Sequence, residues 1–365
     1  MFEDKPPAKE SHLMAKRSDG RELVQPVLLA LAAAALFGAA TPVSKLLLGS
    51  ISPFQLAGLL YWGAAAGVLP LLIAEQRSGR PLLMPWRMPP RTRPLLLGAV
   101  VLGGVVGPVL LLLGLQLAQA ASVSLWLNLE AVATALFGHF LFRDRLGRNG
   151  WLGAGGILAA ALLLTVGEGA AGWQAGLLVA GATTAWALDN HFTALIDEIS
   201  PAQSTLWKGV VAGSVNLLMG LWISPWQGQW AHVALALLVG VFAYGFSIVF
   251  YIHSAQQLGA TRSQLLFSTA PYFGMALAVW LLGEPLSGLQ LGSALLVGIS
   301  VLVLTVEWHS HDHEHHVMAH EHAHTHDEHH THPHEGAVTA GHSHAHTHEA
   351  QRHAHRHWPD LHHRH

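Results

Sequence analysis

Three ionisable residues of this 365-residue chain, Glu130, Asp189 and Lys208, lie deep inside apolar stretches. A charge at such depth costs a few kcal/mol or more, so it is kept where it binds, relays or pairs. Glu130 has no basic neighbour in sequence. It suits proton coupling or a substrate amine; the structural alternative is a carboxyl bonded to Asn128 or to a neighbouring helix. Asp189 is followed by Asn190 and His191. Asp189 and Lys208 are almost equally far from a turn centred near Ile199, and at 1.5 Å per residue both sit roughly 14 Å along their helices. An ion pair across this hairpin is expected, either a fixed brace or a pair that opens as substrate passes. Asn128 and Asn190 are candidates to line a polar pathway, while Asn216 reads as interhelical glue.

A second chemistry is written at the end of the chain. From His309 onward, 23 of 57 residues are histidine. His311, His313, His315 and His316 form one dense ladder, and His342, His344, His346 and His348 form another. Imidazole suits zinc, nickel, cobalt or copper, and such ladders offer many sites of two to four ligands. The tail has no sustained apolar pattern, so disorder is expected over 307–365. No cofactor is required by anything else in the sequence. Cysteine is absent, which excludes disulfides, thiolate catalysis and Cys-based metal sites.

The elements that must position these groups are set by composition. The chain is 51% hydrophobic and 11% charged, far below the quarter that soluble domains carry, so it is a membrane protein. Apolar segments long enough to cross a bilayer as helix recur at about 25–48, 54–74, 94–115, 119–141, 149–167, 174–196, 202–223, 232–256, 262–283 and 287–306. The first begins late and is longer than the roughly 7–15 residues of a signal-peptide core, so it reads as a span. Residues 1–24 are a polar, mixed-charge segment.

Ten spans leave both termini on one side. Arg77, Arg80, Arg87, Arg91 and Arg93 share one connection, and Arg143, Arg145 and Arg148 share another. The positive-inside rule places both, and both termini, in the cytoplasm. Trp226 and Trp230 fit an interfacial belt on the opposite side.

The apolar unit occurs twice. Leu141-Phe142-Arg143-Asp144-Arg145-Leu146 aligns with Leu281-Leu282-Gly283-Glu284-Pro285-Leu286, and Leu164-Thr165-Val166 with Leu304-Thr305-Val306, at an offset of 140. Ile51-Ser52-Pro53 aligns with Ile199-Ser200-Pro201 at an offset of 148. Five spans per copy is an odd number, so the copies, 25–167 and 174–306, enter the membrane inverted. Inverted apolar repeats mark a transporter with its site at their interface. Glu130, Asp189 and Lys208 align with Ala270, Thr41 and Leu60, so the buried charges break the symmetry.

The chain resembles the drug/metabolite transporter superfamily, EamA type, over about 25–306. The paired helix ends carry the likeness, together with Ser268-Thr269-Ala270-Pro271, a small-residue-plus-Pro pattern of that family. The first copy departs from it, with Glu130-Ala131 at the corresponding place, and the His tail is no part of it. The resemblance implies ten helices in two inverted five-helix repeats and export or exchange of small organic metabolites across the cytoplasmic (inner) membrane.

The expectation is therefore an all-α membrane protein, a secondary exporter of a small organic metabolite, coupled to protons. The alternative is efflux of a divalent metal (nickel, cobalt or zinc), or a metal-regulated carrier with the tail as collector or sensor. An enzyme is not expected: there is no Ser nucleophile motif, and no His/Asp cluster on one membrane helix. Gly103-Gly104 and Gly153 to Gly156 follow no strand, so they read as close helix packing rather than a phosphate cradle. The expected partners are lipid, a small-molecule substrate and possible divalent metal ions, with no nucleic acid.

Overall fold

The computed structural model describes the backbone of residues 8–141, 146–196, 198–226, 228–258, 263, 266–305, 309–315, 318–324, 342–348 and 351–357. They form two units, Met1–Val306 and Glu307–His365. The helix-end motif at Arg143, Asp144 and Arg145 lies outside the described residues.

Every described element of the first unit is helical. In chain order they are α1 (Ala8–Leu47), α2 (Pro53–Gly67), α3 (Leu69–Arg77), α4 (Thr92–Ala99), α5 (Gly107–Leu117), α6 (Ala120–Trp126), α7 (Leu129–Leu141), α8 (Arg148–Gly167), α9 (Ala170–Ala194), α10 (Pro201–Ile223), α11 (Trp230–Val239), α12 (Ser247–Leu258), α13 (Ala270–Leu282) and α14 (Gly288–Thr305). Among the described residues, seven helical stretches are long and apolar enough to cross a membrane. They are Val24–Leu47, Pro53–Arg77, Thr92–Leu117, Ala120–Leu141, Arg148–Gly167, Pro201–Ile223 and Trp230–Ser254. The other three expected positions hold α9, diluted by polar residues near its end, and the shorter apolar helices α13 and α14.

Local chemistry explains the boundaries, and it recurs at the sequence offsets. Ser52 caps α2, accepting from Gln55 N at 3.4 Å, and Ser200 caps α10, accepting from Gln203 N at 3.2 Å. Each Ser is followed by a proline, whose fixed φ and missing N–H suit the first helical position. A seven-residue π segment, Val100–Val106, joins α4 to α5, and a second, Gly240–Phe246, joins α11 to α12, again 140 residues on. The fourth apolar stretch, expected as continuous, is divided at Leu127-Asn128. Its counterpart is divided at Ser268-Thr269. Gly283 ends α13 with φ of 65°, the left-handed conformation that a glycine adopts without Cβ strain.

The helices touch closely through small residues. A Cβ on Gly63 would strike the backbone of Gly240, and one on Gly240 would strike Gly63. The core beneath them holds Leu56, Leu60, Leu112, Leu115, Trp126 and Leu164, all essentially buried. Outward faces are apolar instead of charged: Leu177, Leu218 and Leu295 are each at least 67% exposed. A surface of that kind belongs in lipid. Trp222, Trp230 and Trp280 are similarly exposed at helix ends, and Trp226 is partly so, as an interfacial belt requires.

In the second unit, β1 (His309–His315) pairs antiparallel with β4 (Gln351–His357), and β2 (Met318–His324) pairs with β3 (His342–His348). An alternation of His with another residue has the period of two that a strand needs, even without an apolar face.

Candidate functional site

The expected hairpin pair is formed. Lys208 Nζ on α10 lies 2.8 Å from Asp189 Oδ1 and 2.9 Å from Oδ2 on α9. Thr193, one turn along α9, donates to Asp189 Oδ1 at 3.0 Å and accepts from Lys208 Nζ at 3.4 Å. Asp189 is buried, so the ammonium and the hydroxyl supply what water cannot. Among the described residues this is the one ion pair.

What faces the pair was not anticipated. The Asp189 carboxylate lies against Gly103, in the first π segment, where a Cβ would collide with it. The same segment turns two carbonyls toward neighbouring helices. Gly103 O accepts from Trp186 Nε1 at 3.0 Å and from the Tyr61 hydroxyl, and Gly104 O accepts from Asn216 Nδ2 at 2.9 Å. The cause is readable in retrospect. Pro108 follows five residues after Gly103 and four after Gly104, and it has no N–H to give either carbonyl. Asn216 therefore acts as glue between helices, as its position suggested, although its buried Oδ1 has no protein partner.

Glu130 stands at the break in the fourth apolar stretch, in the first turn of α7. Its Oε1 accepts from Asn190 Nδ2 at 2.7 Å. Asn190 adjoins Asp189, so α9 carries one polar strip that meets α7 on one side and α10 on the other. Asn128 is not joined to this strip: its Nδ2 bonds Leu125 O at 3.0 Å within its own turn. Glu130, Asp189, Asn190 and Lys208 are thus brought together, and Asn128 serves the helix break beside them. An aromatic row runs from Tyr61 on α2 through the second π segment to α1, with Tyr61 6.0 Å from Tyr244 and Tyr244 5.7 Å from Phe37.

A second polar cluster escaped the sequence reading. It gathers at the end of the unit where α5 gives way to α6. Glu284 accepts from Ala120 N at 2.8 Å and Ala121 N at 2.9 Å, and Glu168 accepts from Gln119 N at 3.1 Å and from the Ser122 hydroxyl. Lys45 covers the opposing carbonyl end of α5, donating to Leu115 O and, at 2.8 Å, to Ala118 O. Gln290 Nε2 reaches Gln119 Oε1 at 2.8 Å and Ser122 Oγ at 2.9 Å. These bonds surround a cavity of about 320 Å³ lined by Glu168, Gln119, Ser122, Leu286 and Gln290 among others. Glu284 had been noticed for its place in a repeated motif, but its partners lie more than 160 residues away.

The opposite end has its own ties between the two halves. Ser200 Oγ donates to Glu75 at 2.7 Å, Thr92 Oγ1 to Glu198 at 2.7 Å, and Gln203 bonds Leu83 N at 3.0 Å and Pro81 O at 3.1 Å. Gln55, aligned with Gln203, ties instead to Gly220 O and Ser224 O at the far end of α10.

Comparison with known proteins places this arrangement. The model of a family described as the EamA-like transporter family matches residues 25–166 and again 173–306. An uncharacterized transporter from Methanothermobacter thermautotrophicus is 28% identical over 287 residues, covering 73% of this chain and 82% of that protein. An uncharacterized transporter from Synechocystis sp. is 27% identical over 285 residues, covering 70% and 82%. A crystal structure covering 77% of this chain and 96% of its own shares the fold at a TM-score of 0.56 and 20% identity.

Proposed function

The chain belongs to the EamA-like transporter family, and on that premise we propose that it exports a small organic metabolite across the cytoplasmic membrane in exchange for protons. The observation that carries this reading is the polar strip Glu130, Asn190, Asp189 and Lys208, set among apolar helices and beside a broken helix and a π segment. Irregular backbone at membrane depth belongs where it lines a cavity or a path.

Ten spans in two inverted five-helix repeats form the scaffold of this reading. Four local devices recurring at offsets of 140, 141 or 148 support the repeat: the π segments and α8 with α14, the broken fourth stretches, and the Ser-Pro caps. Aligned residues Gln55 and Gln203 tie the halves at opposite ends, as an inversion requires. Both termini then lie in the cytoplasm, with the arginine-rich connections.

The roles within the strip differ. Asp189 is held by an ammonium and a hydroxyl, so it anchors the α9–α10 hairpin. The described partner of Glu130 is an amide, which leaves this carboxyl as the member suited to exchange a proton for substrate. In the transport cycle, the ties around Glu284 and Gln290 break while those around Glu75 and Gln203 hold, and then the reverse. Among the described residues of the first unit, no group of three or more His, Asp or Glu side chains is placed to hold a metal ion.

The test is a metabolite and metal profile of the medium of cells with and without the protein. An organic metabolite that accumulates outside only when the protein is present supports export. A change confined to metal content would overturn the reading.

A further inference from the structure

The transporter reading leaves the histidine tail without a role, and its backbone register gives it one. In the outer ladder His309, His311 and His313 stand opposite His357, His355 and His353. In the inner ladder His320, His322 and His324 stand opposite His346, His344 and His342. Each ladder therefore has one face with three opposed histidine pairs and a seventh histidine beside them, His315 in the outer ladder and His348 in the inner. The intervening pairs, such as Glu314 with Arg352 and Glu321 with Ala345, take the other face.

From this juxtaposition we propose that the tail is a built transition-metal site, with each ladder holding one tightly bound divalent ion of the zinc or nickel class. Opposed positions are roughly 5 Å apart between Cβ atoms, and same-face neighbours about 7 Å apart along a strand. Two consecutive pairs thus place four histidine positions of the backbone at the corners of a small rectangle. A four-coordinate ion with metal–nitrogen distances of about 2.0–2.1 Å can draw on such a set. Imidazole selects zinc, nickel, cobalt and copper over magnesium and calcium, which prefer oxygen. Bound metal would also fasten β1 to β4 and β2 to β3, segments that are otherwise far apart in sequence.

On this proposal the histidines first singled out hold different places in the register. His311, His313, His342, His344 and His346 occupy opposed pairs. His315 stands opposite Gln351 and His348 opposite Met318, so neither is paired with a histidine. His316 lies outside the described residues. His309, His320, His322, His324, His353, His355 and His357 join the set.

The test is equilibrium dialysis of the full-length protein in detergent against zinc, with magnesium in excess. About two tight ions per chain are expected, and both should vanish when 309–365 is removed. The decisive variant keeps composition and changes register: His353→Ala with Ala354→His, and His355→Arg with Arg356→His. It moves two histidines of β4 to the other face and should lose one tight ion, with an affinity drop of tenfold or more at that site. Two tight ions retained in this variant would show that histidine content, not register, binds the metal. No tight zinc in the unaltered protein would also overturn the proposal.

Discussion

The two π segments share a shape and differ in what they do with it. Both span seven residues at an offset of 140, and in each the first α-helical residue after the segment bonds back five residues, Gly107 N to Leu102 O and Ser247 N to Phe242 O. In the first, Pro108 withholds a donor, and Trp186, Tyr61 and Asn216 fill the gap from three other helices. In the second, Ile248 stands where Pro108 does, and the segment presses Gly240 and Gly245 onto Gly63 and Gly67 of α2. One copy has become a polar contact beside Asp189, while the other remains a packing joint. A duplicated scaffold acquires a site when a few residues in one copy depart from the pattern.

The largest test of that asymmetry removes the counterion. Lys208→Met leaves Asp189 buried without its ammonium, and should cost about 3–5 kcal/mol in thermal unfolding in detergent. Adding Asp189→Asn should recover most of the loss. If the single variant is as stable as the parent, the pair is not the anchor described.

Gly103→Ala is next. Its Cβ meets the Asp189 carboxylate, so roughly 1–3 kcal/mol of overpacking is expected. The aligned residue of the second copy is already Ala243. Ala243→Gly should cost only about 0.5–1 kcal/mol, the ordinary penalty of glycine within a helix. Equal losses at the two positions would erase the distinction between the segments.

The smallest effect concerns the end cluster. Glu284→Ala removes the acceptor for Ala120 N and Ala121 N, a loss of about 1 kcal/mol and hence a roughly fivefold gain in the open form. The chain has no cysteine, so Ser122→Cys can be labelled alone with an impermeant maleimide. Its labelling should rise in the Glu284→Ala background and stay unchanged with Glu75→Ala, at the other end. Equal labelling in all three would remove Glu284 from the closure.

Much of this was readable from residues. Apolar length and repeated motifs announced the helices, and equal distances from the turn at Ile199 announced the Asp189–Lys208 pair. Both are local arithmetic along one or two helices. The rest depends on packing between distant segments. The Asn190 partner of Glu130 requires α7 to lie against α9. Glu284 reaches the start of α6 only after the halves are assembled. The break at Leu127-Asn128 interrupts a pattern that stays apolar throughout, so periodicity passes over it. For the tail, the histidine alternation was plain, but its pairing needed register.

The central claim is that Glu130 couples protons to the cargo. The direct measurement uses inside-out vesicles and the metabolite identified by profiling, comparing the parent protein with Glu130→Gln while an imposed proton gradient is switched on and off. The parent should accumulate the metabolite only with the vesicle interior acidic, and the variant should lose this dependence on the gradient. Accumulation by Glu130→Gln with the full pH dependence of the parent would contradict the account.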